Sequence, residues 1–67
     1  MSPMQERLKN VGMTQVEMIM KLRERGIVVH PPEMSYVLRG IVVYPKAKKI
    51  LEECENILAE QERGYAN

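Results

Sequence analysis

Residues 14–41 read TQVEMIMKLRERGIVVHPPEMSYVLRGI, and the punctuation of this stretch decides the fold. Thr14 with Glu17 three residues on is a capping box, in which hydroxyl and carboxylate each take a backbone N–H that a first helical turn leaves free. It opens a helix that Gly26 closes, because the residue just past a helix adopts a left-handed backbone that glycine reaches without a steric clash. Pro31-Pro32 opens a second helix, since proline at N1 gives up an N–H that had no partner there. Gly40 closes it. On a helical wheel, Val16, Met18, Ile19, Met20 and Leu22 fill an arc of roughly 200°, opposite Glu17, Lys21, Glu24 and Arg25. A helix so broadly apolar is expected at the centre, packed from two sides. The shorter helix gathers Met34, Val37 and Leu38 within an arc of about 100° and leaves Ser35, Tyr36 and Arg39 together on the other side.

Outward from this stretch the same grammar continues. Pro45 starts a last helix in which Ala47, Ile50, Leu51, Cys54, Ile57 and Leu58 recur at spacings of three and four, and Gly64 is expected to end it. Upstream, Ser2-Pro3 reads as an N-cap with proline at N1, opening a brief helix that Gly12 terminates. The expected helices cover about 3–11, 14–25, 32–39 and 45–62 of one domain spanning 1–67. One segment repeats: Arg25-Gly26-Ile27-Val28-Val29-His30-Pro31 returns as Arg39-Gly40-Ile41-Val42-Val43-Tyr44-Pro45, fourteen residues later. Each copy reads as a C-cap glycine, an extended apolar connector and a proline that starts the next helix. The chain is therefore expected to be all-α, a small helical bundle, with a short two-stranded ribbon between the two connectors as the alternative.

Composition narrows the function. At 67 residues the chain holds one domain, and 45 % hydrophobic with 28 % charged residues is the balance of a folded one. The three Tyr and six Met, with no Phe or Trp, suit a helical core in which Met18, Met20 and Met34 act as filler. The lone cysteine, Cys54, lies on the apolar stripe of the last helix and reads as a small buried hydrophobe. It excludes an internal disulfide and a thiolate-paired zinc site. His30, the single histidine, has no carboxylate or second ligand at metal or triad spacing, and Asp is absent. No enzyme, cofactor, metal or small-molecule substrate is indicated. Neither a membrane span nor a signal peptide is legible, and the expected location is cytoplasmic.

The net charge of +1 hides a polarity. Residues 1–50 carry nine Lys/Arg against four Glu, whereas residues 51–67 carry five Glu against Arg63. A basic front with an acidic tail suits a molecule that turns one face to a polyanion, because attraction follows local potential and not the sum. A solvated acidic helix is the plainer alternative.

Thr14-Gln15-Val16-Glu17-Met18, then Glu33-Met34-Ser35-Tyr36-Val37-Leu38-Arg39-Gly40-Ile41 and Pro45-Lys46-Ala47, resemble the Cro/C1-type (XRE) helix-turn-helix domain of phage repressors. The resemblance runs from about Gln5 to Leu58. It rests on Thr-Gln at the start of one helix and Ser-x-x-Leu-x-Gly at the end of the next. It implies a lambda-repressor-like bundle and a homodimer that regulates transcription, as a repressor, from operator sites on double-stranded DNA. One departure stands out. The motif joins its helices with about three or four residues, whereas Arg23 to Pro32 supply a longer, valine-rich connector.

Carried over by position, Gln15 resembles the glutamine that clamps a phosphate and buttresses the recognition helix. Ser35, Tyr36 and Arg39 match positions facing the major groove, where Arg can pair with guanine and Tyr can meet a thymine methyl. Glu33 is placed to accept from cytosine, or equally to sit as a favourable charge in a first helical turn. Lys46, Lys48 and Lys49 oppose the dipole of the last helix, and phosphate contacts would explain them; a solvated charge run is the alternative. The apolar stripe continuing to Ile57 and Leu58 is expected to outrun the cover that three short helices provide. These two residues are therefore the expected homodimer interface, unless the N-terminal segment folds back through Met4 and Leu8. The competing function is a helix-turn-helix-like protein-interaction module, such as an antirepressor, an antitoxin or a phage inhibitor.

Overall fold

A computed structural model of the chain describes residues 2–66, with side chains up to Gly64. The domain is all-helical: α1 (Pro3–Asn10), α2 (Gln15–Glu24), α3 (Pro31–Leu38) and α4 (Pro45–Ala66) form a small bundle. Both connectors lack strand pairing, so the two-stranded ribbon is not formed among the described residues. No described helix is long and apolar enough to cross a membrane.

Each start and stop has a local cause. At α2, the Glu17 N–H donates to the Thr14 hydroxyl (3.1 Å) and the Thr14 N–H to the Glu17 carboxylate (3.0 Å). This reciprocal cap holds the Glu17 carboxyl below its ordinary range. At α1, Ser2 has two roles. Its hydroxyl accepts from the Gln5 N–H at 3.2 Å and donates to the Leu38 carbonyl at 2.5 Å, stitching the start of α1 to the end of α3. Gly26 and Gly40 follow α2 and α3 at φ +83° and +88°, the left-handed conformation that their positions demand.

The last helix departs from expectation at its far end. Gly64 does not stop it; α4 runs 22 residues to Ala66. Glycine ends a helix when the chain must turn there, and nothing in this fold requires a turn at Gly64. At 1.5 Å per residue α4 is about 33 Å long, and it sets the longest dimension of the molecule, 35 Å.

One core serves all four helices. Met4 and Leu8 of α1, Met18 and Leu22 of α2, Met34, Val37 and Leu38 of α3, and Ala47, Ile50, Cys54, Ile57 and Leu58 of α4 belong to it, with Val11, Met13 and Val29 from the connectors. The arc drawn for α3 is therefore its buried face. The broad arc drawn for α2 is not. Val16 is 63 % and Met20 60 % exposed, because α2 enters the core through Met18 and Leu22, with Ile19 half-buried against its edge.

Ile57 and Leu58 also correct an expectation. Both are buried inside the single chain, at 1 % and 0 % exposure, so they form no free apolar patch for a second copy. α1 takes part in this packing: its Met4 and Leu8 enter the same core while Arg7 reaches Glu55 and Glu62 on α4. The N-terminal segment has folded back.

Candidate functional site

Charges on α4 are arranged about its buried stripe. Glu55 and Glu62, seven residues apart, lie on one flank; Glu53 and Glu60, also seven apart, lie on the other. One arginine grips each pair. Arg7 donates to Glu62 through Nε (2.9 Å) and Nη2 (2.8 Å) and to Glu55 through Nη1 (2.6 Å). Arg25 donates to Glu53 at 3.2 Å and to Glu60 at 2.8 Å. Each guanidinium is held all the more firmly protonated by its carboxylates, and Glu62 sits below its ordinary range because of Arg7. Four of the five glutamates in the acidic tail are thus paired inside the chain, two to each arginine, which halves their charge without cancelling it.

On α3, Tyr36 is 51 % exposed, and Arg39 just past its end is exposed with its guanidinium carbon 5.0 Å from the centre of the Tyr36 ring. That separation is a cation–π contact, which holds a flat, positively charged pair at the surface. Ser35 is half-buried beside them. Gln15, first residue of α2, donates from its side-chain amide to the Pro31 carbonyl at 3.0 Å, a buttress between the starts of α2 and α3.

Glu33 is engaged inside the chain. Its carboxylate accepts from the Tyr44 hydroxyl and, at 3.3 Å, from the Lys46 ammonium. The Tyr44 bond foremost, then Lys46, holds the Glu33 carboxyl below its ordinary range, while Glu33 pushes the Tyr44 phenol up. Glu33 is therefore occupied as a latch between the first turns of α3 and α4, and Lys46 is partly spent on it. Lys48 and Lys49 are exposed and, like Arg39, form no ion pair among the described residues. Lys48 borders a shallow groove with Val42, Val43, Tyr44 and Pro45.

The structure thus joins Tyr36 to Arg39, Gln15 to the start of α3, and Glu33 to Tyr44 and Lys46. It leaves Ile57 and Leu58 in the core. Reading the sequence missed the part played by Tyr44, and with it the exposed run Ile41, Val43 and Tyr44, at 43 %, 80 % and 41 %. The repeat was the available signal: Tyr44 stands where the first copy has His30, but its partner lies on another helix. Cys54 is fully buried, and burial pushes its thiol up to about 12, which leaves it inert as a nucleophile. Among the described residues no three His, Cys, Asp or Glu side chains converge as a metal site. No known protein family, curated protein or solved structure matches the chain.

Proposed function

We propose that this chain is a sequence-specific DNA-binding regulator of the helix-turn-helix type, a cytoplasmic repressor that presents α3 to the major groove of operator DNA. One observation carries the reading: the exposed side of α3 bears the stacked Tyr36–Arg39 pair, while Glu33 beside it and four of the five glutamates of α4 are engaged by Lys46, Arg7 and Arg25. Arg39 supplies a guanine-reading fork, and Lys48 and Lys49 supply phosphate contacts. Gln15 fixes the start of α3 so that this face is held rigidly. Two copies act together on DNA, since an eight-residue helix covers too few base pairs for useful affinity alone.

A second reading has its own observation. Val16 and Met20 stand exposed one turn apart on α2, a surface that suits a protein partner and not DNA. A fluorescence-polarisation titration against duplex fragments at two salt concentrations separates the readings. A regulator binds some duplexes tightly and all duplexes less well as salt rises. A chain that binds no duplex at low salt belongs to the second reading.

A further inference from the structure

The Arg-Gly-Ile-Val-Val segment occurs twice and folds alike up to its isoleucine. In each copy the isoleucine N–H returns to the carbonyl five residues earlier, Ile27 to Leu22 at 2.9 Å and Ile41 to Tyr36 at 3.0 Å. Beyond that point the copies part. Val29 enters the core at 3 % exposure, whereas its counterpart Val43 is left at 80 %. A single exposed valine needs no explanation, but Val43 stands in a run with Ile41 and Tyr44, and Ile41 returns to the exposed Tyr36.

The course of the run is fixed at both ends. Ile41 is bonded to the last turn of α3, and the Tyr44 hydroxyl is bonded to Glu33 in the first turn. Residues 41–44 therefore travel back along α3, antiparallel to it, and widen its exposed side into one surface. Basic groups border that surface: Arg39 over Tyr36, Lys46 on Glu33 and Lys48 beside Val43. Its acid, Glu33, is already neutralised. Two copies pressed face to face here would set like charges against each other, whereas a polyanion with apolar features between its charges is complementary. In duplex DNA that apolar feature is the thymine 5-methyl group, displayed in the major groove.

We propose that Val43 is a specificity-determining residue that reads thymine methyl groups beside the bases met by Tyr36 and Arg39, with Glu33 as the positioning residue that holds its loop against α3. The inference rests on the DNA-binding reading above and adds to it a base preference and a loop residue. The test begins by selecting preferred duplexes from a random pool with the wild-type protein. Each thymine of the selected site is then replaced by deoxyuridine, which lacks only the methyl. One or two replacements should weaken wild-type binding about fourfold, the factor expected for one buried carbon. At those positions Val43→Ser should be insensitive to the replacement. Val43→Thr, close to valine in shape and still carrying a methyl that can meet thymine, should keep part of the sensitivity, and it guards against a folding defect, which circular dichroism reports for both. A wild type with no uracil-sensitive thymine, or a Val43→Ser variant that keeps the wild-type sensitivity at every thymine, overturns the role of Val43 and leaves DNA binding standing. A wild type that enriches no duplex overturns both.

Discussion

The guanidinium of Arg7 holds the carboxylate of Glu62 through two parallel hydrogen bonds, Nε to Oε2 at 2.9 Å and Nη2 to Oε1 at 2.8 Å. With the third bond to Glu55, this fork fixes α1 across the far half of α4, where the buried Ile57 and Leu58 need cover. Bidentate geometry matters here, because a single exposed ion pair contributes little once solvent and side-chain entropy act against it.

Acid should loosen this clamp. Glu62 titrates below the ordinary 4.5 because it accepts from Arg7. A depressed carboxyl stabilises the fold above the free group's value, and that contribution is lost as pH falls through the lower folded value. Thermal unfolding from pH 6 down to 2.5 should show a fall in Tm that begins near 4.5, with a smaller fall in Arg7→Leu than in wild type. Equal falls in the two proteins would show that Arg7 does not carry the acid sensitivity.

Ile57→Ala should destabilise the fold by about 2–5 kcal/mol, as for any large core truncation, and should leave sedimentation at tens of micromolar unchanged. A shift in oligomeric state without loss of stability would return Ile57 to an interface.

The two valines of the repeat should respond oppositely. Val29→Ala should cost about 1–3 kcal/mol by removing buried methyl groups, and Val43→Ala should change stability by less than about 0.5 kcal/mol. Urea titrations of the two variants check the pair, and similar losses would contradict the burial difference.

Arg39→Ala and Tyr36→Ala should each weaken binding to the preferred duplex by about 1–3 kcal/mol with folding unaltered, since both side chains lie outside the core. Lys48→Ala should weaken all duplexes alike and lower the slope of log affinity against log salt by about one. Three variants that bind as wild type does would remove DNA as the partner of α3.

The Glu33–Tyr44 latch should hold within a pH window. Glu33 titrates below 4.5 because of Tyr44, so the bond weakens as pH falls through that lowered value. Tyr44 titrates above 10.0 because of Glu33, so its contribution is present below 10.0 and lost as pH rises through the raised value. Tyrosinate absorbance should show a phenol that ionises above 10.0 in wild type, and that rise should shrink in Glu33→Gln.

The helix boundaries, the end of α4 excepted, were legible in the sequence because they depend on neighbours only. Thr14 with Glu17, Pro31, Pro45, Gly26 and Gly40 each act on backbone groups within a turn, so their identity and spacing suffice. The inner face of α3 was legible for the same reason, since one apolar arc can be buried in only one direction. Where the arc was wider, as on α2, only the packing partners decided that Met18 and Leu22 go in while Val16 and Met20 stay out. The repeat makes the limit plain. Identical segments end with Val29 buried and Val43 in solvent, and periodicity along the chain cannot distinguish them. That difference, the fold-back of α1 onto α4, the two arginine clamps, and the reach of Tyr44 to Glu33 all join residues on different elements. Such contacts are fixed by how the helices pack in three dimensions, so only the tertiary structure decided them.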